Sequence, residues 1–234
     1  LEIDIKQKNR IRLAIFLLYS CTGICFSGWE SRIPVIKTTL GLGYAAWGTI
    51  LLMITIGQIC GMTISGLLIS KIGSKRIFPI ALTGYAIALL LIGLSPSEYT
   101  LIISLIIFGF FGNFCNISIN TQAVTAESMY DKPIMASFHG GWSLAGLTGA
   151  SIGLLLSSLH LKPAYHFAII GIIVIITLMI NKSFLQADMT KEKDPAEVAS
   201  KKKNKPETFL FLLGIVAFCG MAAEGAMADW SGLY

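Results

Sequence analysis

Four polar side chains recur along one face of an otherwise apolar segment near the middle of the chain. They are Asn113, Asn116, Asn120 and Glu127. At about 100° per residue, their spacing places them within roughly a 60° arc of one helix. Amides inside an apolar helix are costly unless they meet partners or water. The asparagines therefore line a path for a polar solute or join neighbouring helices by hydrogen bonds. Glu127 closes the helix in a gating or structural role.

A second group of side chains suited to a polar solute lies on neighbouring apolar segments. His139 and Trp142 stand near the start of the segment that follows Pro133. An imidazole there could carry protons, gate the path or bond to another helix. Trp142 and Trp29 could stack on a solute, and the alternative for both is aromatic packing or anchoring at the membrane interface. Gln58 is a further candidate for the cavity lining.

Three carboxylates inside or at the ends of apolar segments are candidates for proton coupling. Glu30 lies near the end of the first segment, whereas Glu224 and Asp229 lie in the last one. Carboxylates in such surroundings are costly and are commonly part of proton pathways, so all three join His139 as candidates. The alternative for Glu30 is an interfacial ion pair with Arg32, to which we assign a gating or structural role, and the alternative for Asp229 is the outer interface.

The composition requires that membrane-crossing helices position these side chains. Of the 234 residues, 54% are hydrophobic and 13% are charged, and the mean hydropathy is +0.72. Soluble domains carry about 25% charged residues. Most of the apolar runs exceed the roughly 18 to 20 residues needed to cross a bilayer. The runs are 11–33, 45–70, 77–95, 99–124, 134–158, 164–180 and 208–234. The predicted fold class is an all-α polytopic membrane protein.

The charged residues indicate membrane topology rather than nucleic-acid binding. The net charge is +5, but no basic and aromatic face or nucleic-acid motif accompanies it, so no nucleic-acid partner is expected. Most of the 18 lysines and arginines fall at the N-terminus and in alternate connections. The positive-inside rule then predicts a cytoplasmic N-terminus. No CxxC or Cys/His cluster is present in the sequence, so neither a metal nor another cofactor is expected.

One long polar segment divides the chain. Residues 181–207 are rich in lysine and contain two prolines, which is typical of a linker between bundles. The predicted domains are a six-helix transmembrane bundle over 1–180, a basic cytoplasmic linker over 181–207, and a seventh transmembrane helix over 208–234. That last helix would begin a second bundle, which we expect to be truncated here.

The connection after the second apolar run contains a pattern of glycines and cations. Residues 66–76 read GLLISKIGSKR. This resembles the loop signature of the major facilitator superfamily, which has a glycine, an acid four positions on, a basic residue, a glycine and a basic pair. Ser70 stands where the superfamily has the acid. The resemblance implies the major facilitator fold, here its N-terminal half plus the next helix, and gating or structural roles for Gly73, Lys75 and Arg76.

Two further stretches resemble the fucose-permease-like branch of bacterial major facilitators. They are residues 120–127 (NTQAVTAE) and 135–139 (MASFH), the latter followed by Ser143. This resemblance implies a monomeric, proton-coupled symporter of a sugar or similar small polar solute in the bacterial inner membrane. A proton-driven exporter of organic compounds is the alternative. A membrane scaffold and an intramembrane hydrolase using Ser143 and His139 also stay open, although we expect no enzymatic activity.

Overall fold

The chain folds into helices in the ranges that the computed structural model describes, residues 4–188 and 208–233. The helices are α1 (Ile5–Glu30), α2 (Ile33–Thr39), α3 (Tyr44–Ile72), α4 (Ser74–Leu94), α5 (Glu98–Glu127), α6 (Met135–Ser158), α7 (Pro163–Asn181) and α8 (Thr208–Trp230). Single 3₁₀ turns follow α7 at Lys182–Phe184 and α8 at Ser231–Leu233. These ranges contain no strand, and the predicted all-α fold class is confirmed.

Most of these helices are long and apolar enough to cross a bilayer. Within the described ranges, the segments that meet both conditions are Ile5–Thr39, Tyr44–Ile72, Ser74–Leu94, Glu98–Glu127, Pro163–Phe184 and Phe209–Met227. Helix α6 has 24 residues, which is about 36 Å at 1.5 Å per residue. It is long enough to cross, but glycine, serine and threonine replace many of its apolar residues. Each of the seven predicted runs therefore corresponds to a helix.

The first apolar run is broken near its C-terminal end. Helix α1 ends at Glu30 and α2 begins at Ile33, with Pro34 in its first turn. Proline has no N–H to donate to the carbonyl four residues earlier, here that of Glu30, and its ring clashes with that carbonyl. The helix predicted over residues 11–33 is therefore interrupted after Glu30, and Arg32 lies at the break.

Within residues 4–188 the helices pack in a pattern that repeats. Helix α5 packs against α3 and α4, helix α1 packs against α6 and α7, and α4 packs against α7. If α1, α3 and α4 are taken to correspond to α5, α6 and α7, in that order, the α3–α5 contact corresponds to the α6–α1 contact. In the same way, the α4–α5 contact corresponds to the α7–α1 contact. Internal repeats of this kind are found in many membrane proteins.

Glycines allow α3 and α5 to approach closely. Gly57 and Gly61 are buried on the α3 face that meets α5, as the small-residue spacing of that helix predicts. A Cβ added to Gly61 would lie 2.7 Å from the carbonyl oxygen of Phe110, and one added to Gly57 would collide with the carbonyl of Ile106. On the other side, Gly109 lies against the backbone of α3. This contact fixes α5, the helix that carries the asparagines.

The chain divides into two compact units, Leu1–Asp188 and Met189–Tyr234. In the first unit, the residues that follow α7 lie on the bundle, and Leu185 is fully buried. Part of the predicted linker, residues 181–188, therefore packs as a continuation of the first unit. The remainder of that linker, residues 189–207, lies outside the described residues. Helix α8 belongs to the second unit.

Candidate functional site

The three asparagines of α5 do not share one environment. Asn116 is exposed, whereas Asn113 and Asn120 are partly buried. Asn120 Nδ2 donates to the Asn116 carbonyl oxygen at 2.8 Å and lies 3.3 Å from Asn116 Oδ1. Asn113 Oδ1 instead accepts from the hydroxyl of Ser65 on α3 at 3.5 Å. Asn113 therefore contacts α3, whereas Asn116 and Asn120 form a polar pair that reaches the surface of the unit.

A tyrosine connects this polar pair to two further helices. Tyr19 of α1 is only 3% exposed, and its hydroxyl donates to Asn120 Oδ1 at 3.0 Å. The hydroxyl oxygen of Tyr19 also lies 3.3 Å from Nδ1 and 3.4 Å from Nε2 of His139 on α6. The two rings meet edge to face, with centroids 5.3 Å apart. Tyr19, Asn116, Asn120 and His139, here called the polar cluster, thus bring three helices together.

The hydrogen bonds of the polar cluster have one consistent direction. A tyrosine carries a single hydroxyl hydrogen, and Tyr19 gives it to Asn120, so its oxygen must accept from a ring N–H of His139. The imidazole can satisfy this bond whether it is neutral or cationic. His139 is itself exposed.

The aromatic candidates occupy different surroundings. Trp29 is fully buried, and its ring lies 6.1 Å from that of Trp47 and 6.4 Å from that of Phe108. These contacts favour the packing alternative for Trp29. Trp142 is partly buried on α6, and Gln58 is exposed on α3. Stacking of a solute on Trp142 and contact with Gln58 remain predictions.

The charged candidates are distributed over both units. Glu30 is partly buried at the end of α1, Glu224 is exposed on α8, and Asp229 is partly buried near the end of that helix. Arg32 is fully buried, and its Nε donates to Nδ1 of His166 at 3.2 Å. Its Nη1 and Nη2 atoms have no hydrogen-bond partner among the described residues. His166 is also buried, at 1% exposed.

Glu127 has a clear structural role. Its Oε2 accepts from the backbone N–H groups of Ile134 at 2.7 Å and Met135 at 2.6 Å. The first N–H groups of a helix have no partner within it, and a carboxylate satisfies them with charge-assisted bonds. Glu127 therefore ties the end of α5 to the start of α6, one turn before His139.

The loop between α3 and α4 is organised by its glycine. Gly73 ends α3 and precedes α4 with a φ of +91°, which glycine adopts without the steric cost that other residues meet. Lys75 and Arg76 are exposed in the first turn of α4, and Ser70 is exposed in the last turn of α3. The loop thus has the tight turn and the surface cations that its sequence pattern predicts.

This pattern has a match in known proteins, because residues 8–234 match the Major Facilitator Superfamily. The chain belongs to that superfamily. It is 29% identical over 98% of its length to an uncharacterized MFS-type transporter of Yersinia pestis, 58% of which is covered. It is 27% identical over 91% of its length to the uncharacterized transporter y4wD of Sinorhizobium fredii, 55% of which is covered.

Other similarities agree with this assignment. The chain is 25% identical over 94% of its length to membrane protein MosC of Rhizobium meliloti, 53% of which is covered. The fold resembles a bacterial homolog of the human lysosomal transporter Spinster, with a TM-score of 0.61 and 18% identity over 84% of this chain and 48% of that one. The chain therefore has the major facilitator fold and is a multi-pass membrane protein. It spans about half the length of the curated relatives it matches.

A carboxylate from a distant part of the sequence lies against the loop between α3 and α4. Asp188, which follows α7, accepts from the backbone N–H of Ser74 at 2.6 Å and from the Ser74 hydroxyl. Gln122 of α5 is fully buried; it donates to Ser74 Oγ at 2.6 Å and exchanges two 2.8 Å hydrogen bonds with the backbone of Gln186. These four residues, here called the Asp188 cluster, join the start of α4, the C-terminal part of α5 and the segment after α7.

Sequence reasoning missed several of these residues. Tyr19 lies in an apolar run where tyrosine is unremarkable, and its role depends on helices far away in sequence. Gln122 lies off the asparagine stripe, which correctly indicates a different partner but not which one. Asp188 lies in a segment read as linker. The Arg32–His166 bond joins residues 134 positions apart, which no local pattern reveals.

Proposed function

We propose that the complete protein containing this chain is a secondary transporter that moves a small polar solute across the membrane by alternating access. Membership of the Major Facilitator Superfamily supports this class of activity. The polar cluster is the observation that supports a polar solute. Three helices of the bundle contribute hydrogen-bonding groups to one place, and the exposed Asn116 extends that place to the surface of the unit.

The chemistry of the polar cluster suits a solute that carries hydroxyl groups, such as a sugar or a sugar derivative. An amide offers both donors and acceptors, and an imidazole and a phenol do the same. A hydroxyl also donates and accepts, so each can pair with the other without leaving an unsatisfied group. Trp142, partly buried on α6 three residues from His139, is placed to add an aromatic face. The resemblance to the fucose-permease-like branch supports the same solute class.

Proton coupling is the second part of the proposal. His139 is exposed and bonded to Tyr19, so protonation changes the charge of the cluster without removing its framework. Histidine changes charge within the physiological pH range. Glu30, partly buried at the end of α1, is the candidate for the other end of the proton path, and Glu224 and Asp229 are candidates from the second unit.

The proposal is tested by uptake of radiolabelled sugars and polyols into proteoliposomes that contain the complete protein, with and without an imposed pH gradient. The variants are Glu30→Gln and His139→Asn, and the matched control is His160→Asn, which changes an exposed histidine between α6 and α7. We expect gradient-driven uptake in the wild type and the control, and a flattened pH dependence in both test variants.

Two results would contradict the proposal at different levels. If uptake does not respond to the pH gradient and is unchanged in Glu30→Gln and His139→Asn, proton coupling is refuted, whereas transport of the solute still stands. No flux of any sugar or polyol in the panel, with correctly folded protein in the vesicles, would remove the assigned solute class.

A further inference from the structure

The N-terminal turns of α1 and the connection from α5 to α6 border a pair of adjacent hollows that are open to the surface. The larger, about 310 Å³, is lined among others by Lys8, Asn9, Tyr130, Asp131 and Lys132. The smaller, about 190 Å³, shares Asn9 and is lined among others by Arg12, Phe16 and Ser137. We call the two together the basic hollow. None of the described residues that line the basic hollow belongs to the polar cluster, so the two are distinct groups of side chains.

The basic hollow is built by specific contacts rather than by loose surface side chains. Tyr130 donates its hydroxyl hydrogen to Asn9 Oδ1 at 3.2 Å, which joins the α5–α6 connection to α1. The guanidinium carbon of Arg12 lies 5.8 Å from the centre of the Tyr130 ring, and its Nη2 donates to Ser137 Oγ at 3.2 Å. Lys8 is partly buried, unlike the lysine and arginine on either side of it, Lys6 and Arg10.

The charge of the basic hollow favours an anion. Lys8 and Lys132 line the larger part and Arg12 the smaller part, against the single carboxylate of Asp131 in the described lining. A guanidinium presents five N–H donors in a planar fork that fits phosphate oxygens. The contact with Ser137 uses one nitrogen of that fork. Arg12 therefore retains donors for a ligand in the hollow.

Exposed apolar side chains flank these cations. Ile5 lines the larger part of the hollow and is 75% exposed, and Leu13 lines the smaller part and is 57% exposed. A free phosphate or another small inorganic anion would not cover this apolar surface. A phospholipid would cover it with its glycerol and upper acyl carbons while its phosphate met the cations. The combination of cations and exposed apolar rim favours a lipid.

We propose that the basic hollow binds the headgroup phosphate of an anionic phospholipid. Basic pockets between transmembrane helices on the cytoplasmic side are a common way to hold such lipids, and the positive-inside rule predicts that side for the N-terminus of α1. Lys8 and Lys132 contact the phosphate, Arg12 adds its fork from the smaller part, and Asp131 opposes binding. This site is independent of the transported solute.

The test measures lipid binding to the complete purified protein after delipidation, by native mass spectrometry and thermal unfolding. The probes are phosphatidylglycerol, phosphatidylcholine and inorganic phosphate. The Lys8→Gln/Lys132→Gln variant should bind phosphatidylglycerol about 30-fold more weakly, since each cation near a lipid surface contributes about 1 kcal/mol. The matched control, Lys37→Gln/Lys162→Gln, changes two lysines predicted to lie on the opposite side and should bind as the wild type does.

A second variant separates lipid binding from a general loss of structure. Asp131→Asn removes the opposing carboxylate, so it should bind phosphatidylglycerol more tightly, by about 5-fold. Equal binding of phosphatidylcholine and phosphatidylglycerol would overturn the proposal, as would unchanged binding by the lysine double variant. Displacement of the lipid by inorganic phosphate at equal concentration would show an anion site without lipid preference and would overturn the lipid assignment.

Discussion

Replacing Asp188 with alanine tests whether the segment after α7 holds the start of α4. The carboxylate accepts from the backbone N–H and the hydroxyl of Ser74, and Ser74 is fully buried. The alanine variant removes both acceptors and leaves the Ser74 N–H without a partner. The Gln122 bonds to the backbone of Gln186 remain available, so the perturbation is confined to one end of the Asp188 cluster.

The size of the effect follows from the kind of bond that is lost. A buried donor left unsatisfied costs about 1–3 kcal/mol, and bonds to charged groups lie in the upper part of that range. A loss of about 2 kcal/mol in the free energy of local opening corresponds to about 30-fold faster amide exchange. Asp188→Asn keeps one acceptor oxygen and loses the charge, so its exchange rate should be intermediate.

Hydrogen–deuterium exchange with mass spectrometry, in lipid nanodiscs, measures this directly in the peptide that covers residues 72–78. The matched control is Asp131→Ala, which removes an exposed carboxylate at the same end of the bundle and should leave exchange in that peptide unchanged. Equal exchange in wild type and Asp188→Ala would show that the carboxylate does not hold the Ser74 amide.

Three further substitutions test the packing and the polar cluster. Gly57→Leu should destabilise the bundle by about 1–3 kcal/mol or more, because the new side chain meets the backbone of α5. The control is Gly66→Leu, which should leave the unfolding temperature unchanged because nothing lies within 4 Å of a Cβ added there. Equal effects of the two substitutions would refute close packing of α3 against α5. Tyr19→Phe keeps the ring but removes the hydrogen bond to Asn120, so it should lower the free energy of unfolding by about 1 kcal/mol and weaken the stabilisation of the protein by solute. If neither quantity changes, the hydrogen bonds of the polar cluster do not contribute as described. Trp29→Ala should reduce stability by about 3–5 kcal/mol, and a stable variant that only raises the KM for uptake would instead place Trp29 in the solute path.

The helices could be predicted from the sequence because their signal is local. Most of the apolar runs are long enough to cross a bilayer, and that property is independent of which helices become neighbours. The turn at Gly73 was also visible, because its glycine and the following cations form a short pattern. Pro34 carries a local signal for the break after α1 as well, which the prediction of one helix over 11–33 does not use.

The site could be predicted only in part because hydrogen-bond partners are not local. The asparagine stripe correctly indicated polar groups on one helix, but Asn113 bonds to α3 while Asn120 bonds to Tyr19. The depth of a tryptophan is equally hidden, since Trp29 is buried by Trp47 from another helix rather than held at an interface. Spacing along one helix gives the face of a residue, whereas its partner depends on the tertiary packing.

Exposure of Asn116 to water inside the membrane is the property on which the proposed solute path depends most directly. It can be measured by cysteine labelling in native membranes, after the native cysteines, five of which lie in this chain, have been replaced by serine or alanine. Asn116→Cys should react with a membrane-impermeant, water-soluble thiol reagent applied to both sides of the membrane. Ile172→Cys, at an exposed apolar position of α7, should not react until the protein is denatured. If Asn116→Cys is as unreactive as Ile172→Cys in the membrane, and both react after denaturation, no aqueous path reaches the polar cluster.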